Sequence, residues 1–260
     1  MHTYKLTIAY DGTQYSGWQV QPNANTVQAE IVKALKVFLR VEKVVLIGSG
    51  RTDAGVHAAG QIAHFKSELA LDLNRLQHAL NGILPRDIRI KKAEEVPDGF
   101  HSQYHTSGKE YHYHLYLDRV MDPFKRLYCW HLYQRIDLDL LRQAAQCFVG
   151  KHDFSSFANE SDEGSASRDP VRTLYRLDVE PFEGGVRLEF EGDGFLYKMV
   201  RNIVGTLVDM ASGKRPLTDI AEIFAAKDRC KASMAAPPQG LFLMRVDYEE
   251  QDGQDNAGTG

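Results

Sequence analysis

One order of segments occurs twice in this chain: strand, helix, strand, strand, helix, strand. That repetition constrains the fold more than any other feature. Tyr4 to Tyr10 alternates polar and apolar side chains and stops at Asp11-Gly12, a strand running into a turn. Asn25 or Thr26 can cap a helix that carries Val27, Ile31, Leu35 and Phe38 on one face. Lys43 to Ile47 and Gln61 to Phe65 read as strands, and Asp72 can cap a helix through Leu73, Leu76, Leu80 and Ile83, stopped near Pro85. Ile88 to Ala93 closes the first half as a strand.

The second half opens with Lys109 to Leu117, a strand with Tyr111, Tyr113, Leu115 and Leu117 on one face. A helix is expected over Asp137 to Val149, with Gly150 just past its end. Val171 to Val179 and Val186 to Phe190 form a hairpin around Glu183-Gly184-Gly185. Leu196 to Ser212 reads as a long helix ended by Gly213, a short helix follows Thr218, and Leu241 to Tyr248 is the last strand. The expected class is α+β: two ferredoxin-like βαββαβ halves with a central antiparallel sheet, helices on one face and a cleft between the halves. The boundary falls near Phe100 to Ser107. It divides the chain into an N-terminal domain over 1–104 and a C-terminal domain over 105–248, with a disordered tail at 249–260.

Composition excludes several classes. With 43% apolar and 25% charged residues among 260, the chain is an ordinary globular protein. It has no apolar run long enough for a membrane span and no signal-like start, so export is not expected. Cys129, Cys147 and Cys230 are far apart and form no C-x-x-C, as suits free thiols in a reducing cytoplasm. The net charge of −4 includes five acids within residues 247–260; without them residues 1–246 stand at +1, which leaves room for an anionic partner.

Three segments can carry chemistry. Gly48-Ser49-Gly50-Arg51-Thr52-Asp53-Ala54-Gly55-Val56-His57 joins two strands and concentrates polar groups among glycines. Read alone, it is either a catalytic loop or a turn capped by Asp53 with Arg51 as its solvated partner. Within Lys109-Glu110-Tyr111-His112-Tyr113, the two tyrosines share a face that can stack a base or simply pack the core; Tyr113 suits the core. His112 and His114 share the other face without a third ligand at a telling spacing. In Phe195 to Gly205, Met199, Ile203 and Leu207 form an apolar stripe. Lys198, Arg201 and Asn202 point elsewhere, and Arg201 can meet a carboxylate or a phosphate. No dinucleotide loop, P-loop or H-E-x-x-H is present.

Together these segments resemble the TruA family of tRNA pseudouridine synthases. The resemblance rests on Gly50 to His57, Tyr10-Asp11-Gly12, Gly17-Trp18-Gln19, Met199 to Gly205 and Gly240-Leu241, and it spans residues 3–248. It implies the pseudouridine synthase fold. It also implies isomerisation of uridine to pseudouridine at positions 38 to 40 of the tRNA anticodon arm, by a homodimer without cofactor or metal. By the same resemblance Asp53 is the catalytic aspartate, Tyr111 packs on the target base, and Arg51 and Arg201 are active-site arginines. Ser102-Gln103-Tyr104-His105 stands where the family usually has an arginine, and Glu110 where a basic residue is common.

The RNA backbone is expected to meet local basic side chains: Lys109, Arg168, Arg172 and Lys198, with Arg119, Lys125, Arg126 and Arg176 as further candidates. Two other classes compete. One is a non-catalytic RNA-binding protein, indifferent to Asp53. The other is a nucleoside or glycoside hydrolase, which would want a second carboxylate near Asp53.

Overall fold

Period-two apolar patterning makes the strands, and aspartate side chains cap two of the helices. The structure, a computed structural model, describes residues 1–160 and 169–249; Arg168 and residues 250–260 of the acidic tail lie outside the described residues. The first half runs β1 (His2–Tyr10), α1 (Val27–Leu39), β2 (Leu46–Gly48), β3 (His57–Ser67), α2 (Leu73–Ile83) and β4 (Ile88–Val96). The second runs β5 (Thr106–Tyr116), β6 (Trp130–His131), α3 (Leu138–Gln146), β7 (Gly150–Asp153), β8 (Val171–Phe182), β9 (Gly185–Gly192), α4 (Met199–Ala211), α5 (Asp219–Ala226) and β10 (Leu241–Tyr248). The doubled order is therefore present, with β6 and β7 as additions the sequence did not signal.

Local chemistry explains where elements begin and end. The Asp72 carboxylate accepts from the Arg75 N–H, and the Asp137 carboxylate from the Asp139 and Leu140 N–H groups, so α2 and α3 start where their caps predict. Helix α3 stops short of the expected Val149. Its end tightens into three-residue bonds, Cys147 N–H to Ala144 O and Phe148 N–H to Ala145 O, and Gly150 (φ 111°) instead opens β7. Helix α4 starts at Met199 rather than Leu196, because Lys198 is left-handed (φ 59°) and breaks the preceding turn. The strand expected over Lys43 to Ile47 shrinks to Leu46–Gly48.

The strands form one sheet in the order β4-β1-β3-β10-β5-β9-β8-β7, with β2 also on β3 and β6 on β5. Most pairs are antiparallel, as expected. The exceptions are β5 with β6 and the junction between the halves, where β10 runs parallel to β3 through Phe242–His57 and Leu243–Ala58. One face is apolar. Tyr4, Leu6, Ile8 and Tyr10 of β1 continue through Ala63 and Phe65 of β3, Leu241 and Leu243 of β10, Tyr111 and Tyr113 of β5, and Leu188 and Phe190 of β9. These side chains share a single core with the buried faces of all five helices.

The opposite face is charged. Glu110, His112, Glu189 and Glu191 face Arg176, Arg187 and Arg245 there in a lattice of ion pairs. Although Glu110, His112 and Glu189 could together hold a metal ion, arginines already contact both carboxylates.

Thr26 departs from its expected role. It occupies the position before α1, yet its side chain makes no capping bond, and its hydroxyl is buried without a partner. Replacing it with the isostere valine removes an unsatisfied group. Thr26→Val is expected to match or exceed the parent's stability by about 1 kcal/mol in urea unfolding, where loss of a working cap would cost about 1 kcal/mol. A destabilised variant would show that the hydroxyl is satisfied in solution.

Candidate active site

The segment from Ser49 to Val56 leaves β2 and returns as β3, and it is held from three sides. Gln61, fully buried on the apolar face of β3, holds its start: the Ser49 hydroxyl donates to Gln61 Oε1 (2.7 Å), and Gln61 Nε2 donates to Gly50 O (3.2 Å). The loop after β1 holds its middle. Trp18 N–H donates to Thr52 O (3.1 Å), Gly55 N–H donates to Tyr15 O (3.3 Å), and the Tyr10 hydroxyl bonds the Thr52 hydroxyl (2.7 Å). His57 holds its end. Nδ1 accepts from Gly12 N–H (3.0 Å), Nε2 donates to Leu127 O (3.1 Å), and the ring stacks on Phe242 at 4.5 Å. Burial pushes the His57 pKa down, which favours this neutral form.

The glycines of the first loop now have a reason. Gly17 has φ 95°, and a Cβ there would lie 2.6 Å from Thr52 O. The Tyr10-Asp11-Gly12 and Gly17-Trp18 motifs are thus the backbone mould of the Asp53 loop.

Asp53 points across to the second half. Its carboxylate takes the Arg201 guanidinium at 2.5 Å over a separation of 148 residues, and both side chains are mostly buried. Arg201 sits in the first turn of α4 and is itself fixed, since its Nε donates to Ala236 O (2.7 Å) while its own carbonyl accepts from Ala236 N–H (2.9 Å). The Asp53 carboxylate is thus engaged in an ion pair with the second half of the chain rather than in capping its own turn.

Tyr111 is buried on the apolar face with its ring edge-on to Phe195 at 5.0 Å. Burial, reinforced by Tyr10 and Asp53 close by, pushes its hydroxyl pKa up, so the phenol stays protonated. Tyr113 is core, as expected; its hydroxyl donates to Pro237 O (2.7 Å), and Gly240 leaves room for its ring.

The basic candidates separate by face. Lys109 shares the face of Tyr111, and its ammonium donates to Ser49 O (2.9 Å) at the start of the Asp53 loop. Arg172 lies on that face too, braced on the carbonyls of Asp169 (2.8 Å) and Val171 (2.6 Å). Arg51 is exposed on the loop itself. Lys198 lies 5.1 Å over the ring of exposed Tyr197. Four other candidates do not join the site. A bulge in β8 between Leu174 and Arg176 turns Arg176 to the outer face, where Glu110, Asp178, Glu189 and Glu191 surround it. Lys125 pairs with Glu183, Arg126 donates to Pro123 O, and Arg119 is exposed. Glu110, one of the family departures, is likewise on the outer face and away from Tyr111.

Two supports escaped sequence reasoning: Gln61 and the Ala236-Pro237 strip. Gln61 was detectable in principle, as a polar residue at an inward position of an apolar strand. The mould itself can be tested. Gly17→Ala must displace the Thr52 carbonyl, so turnover is expected to fall at least tenfold while circular dichroism stays native. Unchanged turnover would mean that the two loops are not rigidly coupled.

A family model described as tRNA pseudouridine synthase matches residues 6–105 and 144–249. The "tRNA pseudouridine synthase A 1" of Protochlamydia amoebophila is 64% identical over 253 residues, covering 97% of this chain and 99% of that protein. The "tRNA pseudouridine synthase A" of Listeria welshimeri is 45% identical (96% and 100% covered), and that of Bacillus subtilis is 43% identical (94% and 98%). A match of this extent, on a chain whose motif residues converge around one carboxylate, places the protein in the tRNA pseudouridine synthase family.

Proposed function

We propose that this protein isomerises uridine to pseudouridine at positions 38 to 40 of the tRNA anticodon arm. The observation that carries the reading is the Asp53–Arg201 ion pair set beside a buried, protonated Tyr111. The names of the related proteins support tRNA as substrate, and the resemblance of the motifs to the TruA family supports the anticodon arm. The same resemblance supports work as a homodimer. Free thiols at Cys129, Cys147 and Cys230 are in keeping with a cytoplasmic setting.

The reaction breaks the N1–C1′ bond, turns the uracil and joins C5 to C1′. C5 gives up its proton and N1 takes one, so no electrons are gained or lost. The enzyme must supply an ionised group at the sugar, a surface on which the base can turn and an acceptor for the C5 proton. Asp53 supplies the first, either attacking C1′ or removing a sugar proton to give a glycal. Arg201 keeps a counter-charge on that carboxylate and, through Ala236, fixes its direction. The Tyr111 ring stacks on the uracil, which is worth about 1–3 kcal/mol, and its protonated hydroxyl is the candidate to relay the C5 proton, passing its own proton on as it takes that one up. Arg51, exposed on the loop, is placed to meet the RNA backbone or to fill the space an extruded base leaves.

The test is tritium release from a tRNA transcript carrying C5-tritiated uridine. The wild type is expected to release tritium and form pseudouridine. Asp53→Asn is expected to bind the transcript and release none; turnover by that variant would remove Asp53 from the chemistry. Free uracil in place of pseudouridine would favour a hydrolase.

Tyr111→Phe separates two roles of one side chain. Its transcript affinity is expected to stay within about twofold of wild type, because the ring remains, while turnover falls about a hundredfold or more. Equal turnover would assign the C5 proton to another group.

A further inference from the structure

Ala236 holds Arg201 at both its guanidinium and its backbone carbonyl, so the place of Ala236 decides where the Asp53 carboxylate meets its partner. The chain before Ala236 is fixed in turn. It opens with the short 3-10 turn Arg229–Lys231, and the partly buried Arg229 guanidinium reaches three segments at once. Its Nη2 donates to Asn202 Oδ1 (2.8 Å), its Nη1 to Ala232 O (3.3 Å) and its Nε to Asn159 Oδ1 (3.4 Å). Each of these bonds ends on a neutral oxygen rather than a carboxylate. Burial weighs against the charged form and pulls the Arg229 pKa down. What suits arginine to this place is therefore shape. Its planar head offers five N–H donors in a fixed fork, whereas lysine offers three on one atom.

Asn202 is the hub of these contacts. It follows Arg201 in the first turn of α4 and is fully buried. Its Nδ2 donates to Phe157 O (2.7 Å) and Asn159 Oδ1 (3.0 Å), and the Asn159 N–H donates to Tyr197 O (3.0 Å) just before the helix. Its own carbonyl accepts the Thr206 hydroxyl (2.9 Å), which accepts the Ser233 N–H (3.2 Å). The start of α4, residues 157–159 and residues 232–236 are thus bound to one another, with Arg229 and Asn202 at the crossing.

We propose that Arg229 is a positioning residue for the Asp53–Arg201 pair: it clamps the start of α4 to residues 232–236, so that the Ala236 carbonyl stands where Arg201 Nε meets it. The proposal rests on the reading of Asp53 as the group that acts at C1′. A site assembled from two halves tolerates little error, since a misplacement of about 1 Å can cost about a hundredfold in rate.

The experiment compares wild type, Arg229→Met, Arg229→Lys, Arg201→Lys and the double variant Arg201→Lys/Arg229→Met. Each is measured for kcat of tritium release, for transcript Kd and for urea unfolding. Arg229→Met keeps the apolar stem and loses every donor. It is expected to bind the transcript within about twofold of wild type and to lower kcat about tenfold or more. Arg229→Lys keeps the charge without the fork, and its kcat is expected to stay within about threefold of that of Arg229→Met. In the Arg201→Lys background, Arg229→Met is expected to change kcat by less than about twofold, because the bond it serves is already lost. A second readout needs no turnover. The Arg201 Nε–H gives its own nitrogen–proton NMR signal, identified by its absence from Arg201→Lys, and its bond to Ala236 slows exchange with water. Arg229→Met is expected to speed that exchange about tenfold.

If Arg229→Met is less stable toward urea but keeps the wild-type kcat per folded molecule and the wild-type exchange at Arg201, Arg229 only braces the fold and the proposal fails. Equal losses of kcat in the wild-type and Arg201→Lys backgrounds overturn it as well. Should Arg229→Met fail to fold, Asn159→Ala removes one acceptor of the fork and is expected to lower kcat at unchanged Kd; unchanged kcat there counts against the clamp. A wild type that binds the transcript without releasing tritium would count against the proposed function, and the exchange measurement would then decide the role of Arg229.

Discussion

A carboxylate and a guanidinium placed 148 residues apart must meet inside the protein, and much of the architecture serves that meeting. Neither charge could be buried alone without a penalty of several kcal/mol. Each is therefore carried by its own rigid frame. Asp53 stands on a loop whose carbonyls and amides are bound by β1, its following loop and Gln61. Arg201 stands at the start of a helix whose next turn passes under the 232–238 strip, so closely that a Cβ on Gly205 would lie 1.9 Å from Met234 O. The pair joins the halves on the apolar side of the sheet; the β3–β10 pairing joins them within it.

The repeated order of elements was legible because helix and strand periodicities are strong and acids cap two of the helices. Strand β10 is found at the limits its pattern predicts, and the β8–β9 hairpin turns at Gly184 as expected. What escaped was set by tertiary geometry. A left-handed residue at Lys198 and the tight end of α3 shift helix boundaries by about a turn, and nothing local announces either one. The bulge in β8 matters more. Strict alternation would place Arg172 and Arg176 on one face, whereas a single irregular residue sends them to opposite faces and opposite roles. Of the candidate site, Asp53, Tyr111 and Arg201 were legible because those residues sit in dense motifs. Its supports were not, because Gln61 and Ala236 act through backbone contacts that leave no mark on composition.

The outer face resolves an apparent conflict between an acidic chain and a polyanionic substrate. Glu110, Glu189, Glu191 and Asp178 are engaged with Arg176, Arg187 and Arg245 behind the sheet, so they add little net charge to that face. The lysine and arginine nearest Tyr111 lie on the other side. Net charge averages over both faces, so it does not set the charge of the face that carries Tyr111.

The position of β10 has a consequence for how the protein comes into being. This strand, the last described element, does not lie at an edge; it is inserted between β3 and β5, in the middle of the sheet. Everything N-terminal to it emerges from the ribosome with a gap at the centre and with unpaired strand edges on both sides. Such edges invite pairing with other chains. The halves can collapse locally during synthesis, but the sheet can be zipped shut only once Leu241–Tyr248 has emerged. Nascent chains of this design therefore stay exposed at what will become their interior until that strand is made, and a chain truncated before Leu241 would lack the strand that joins its halves.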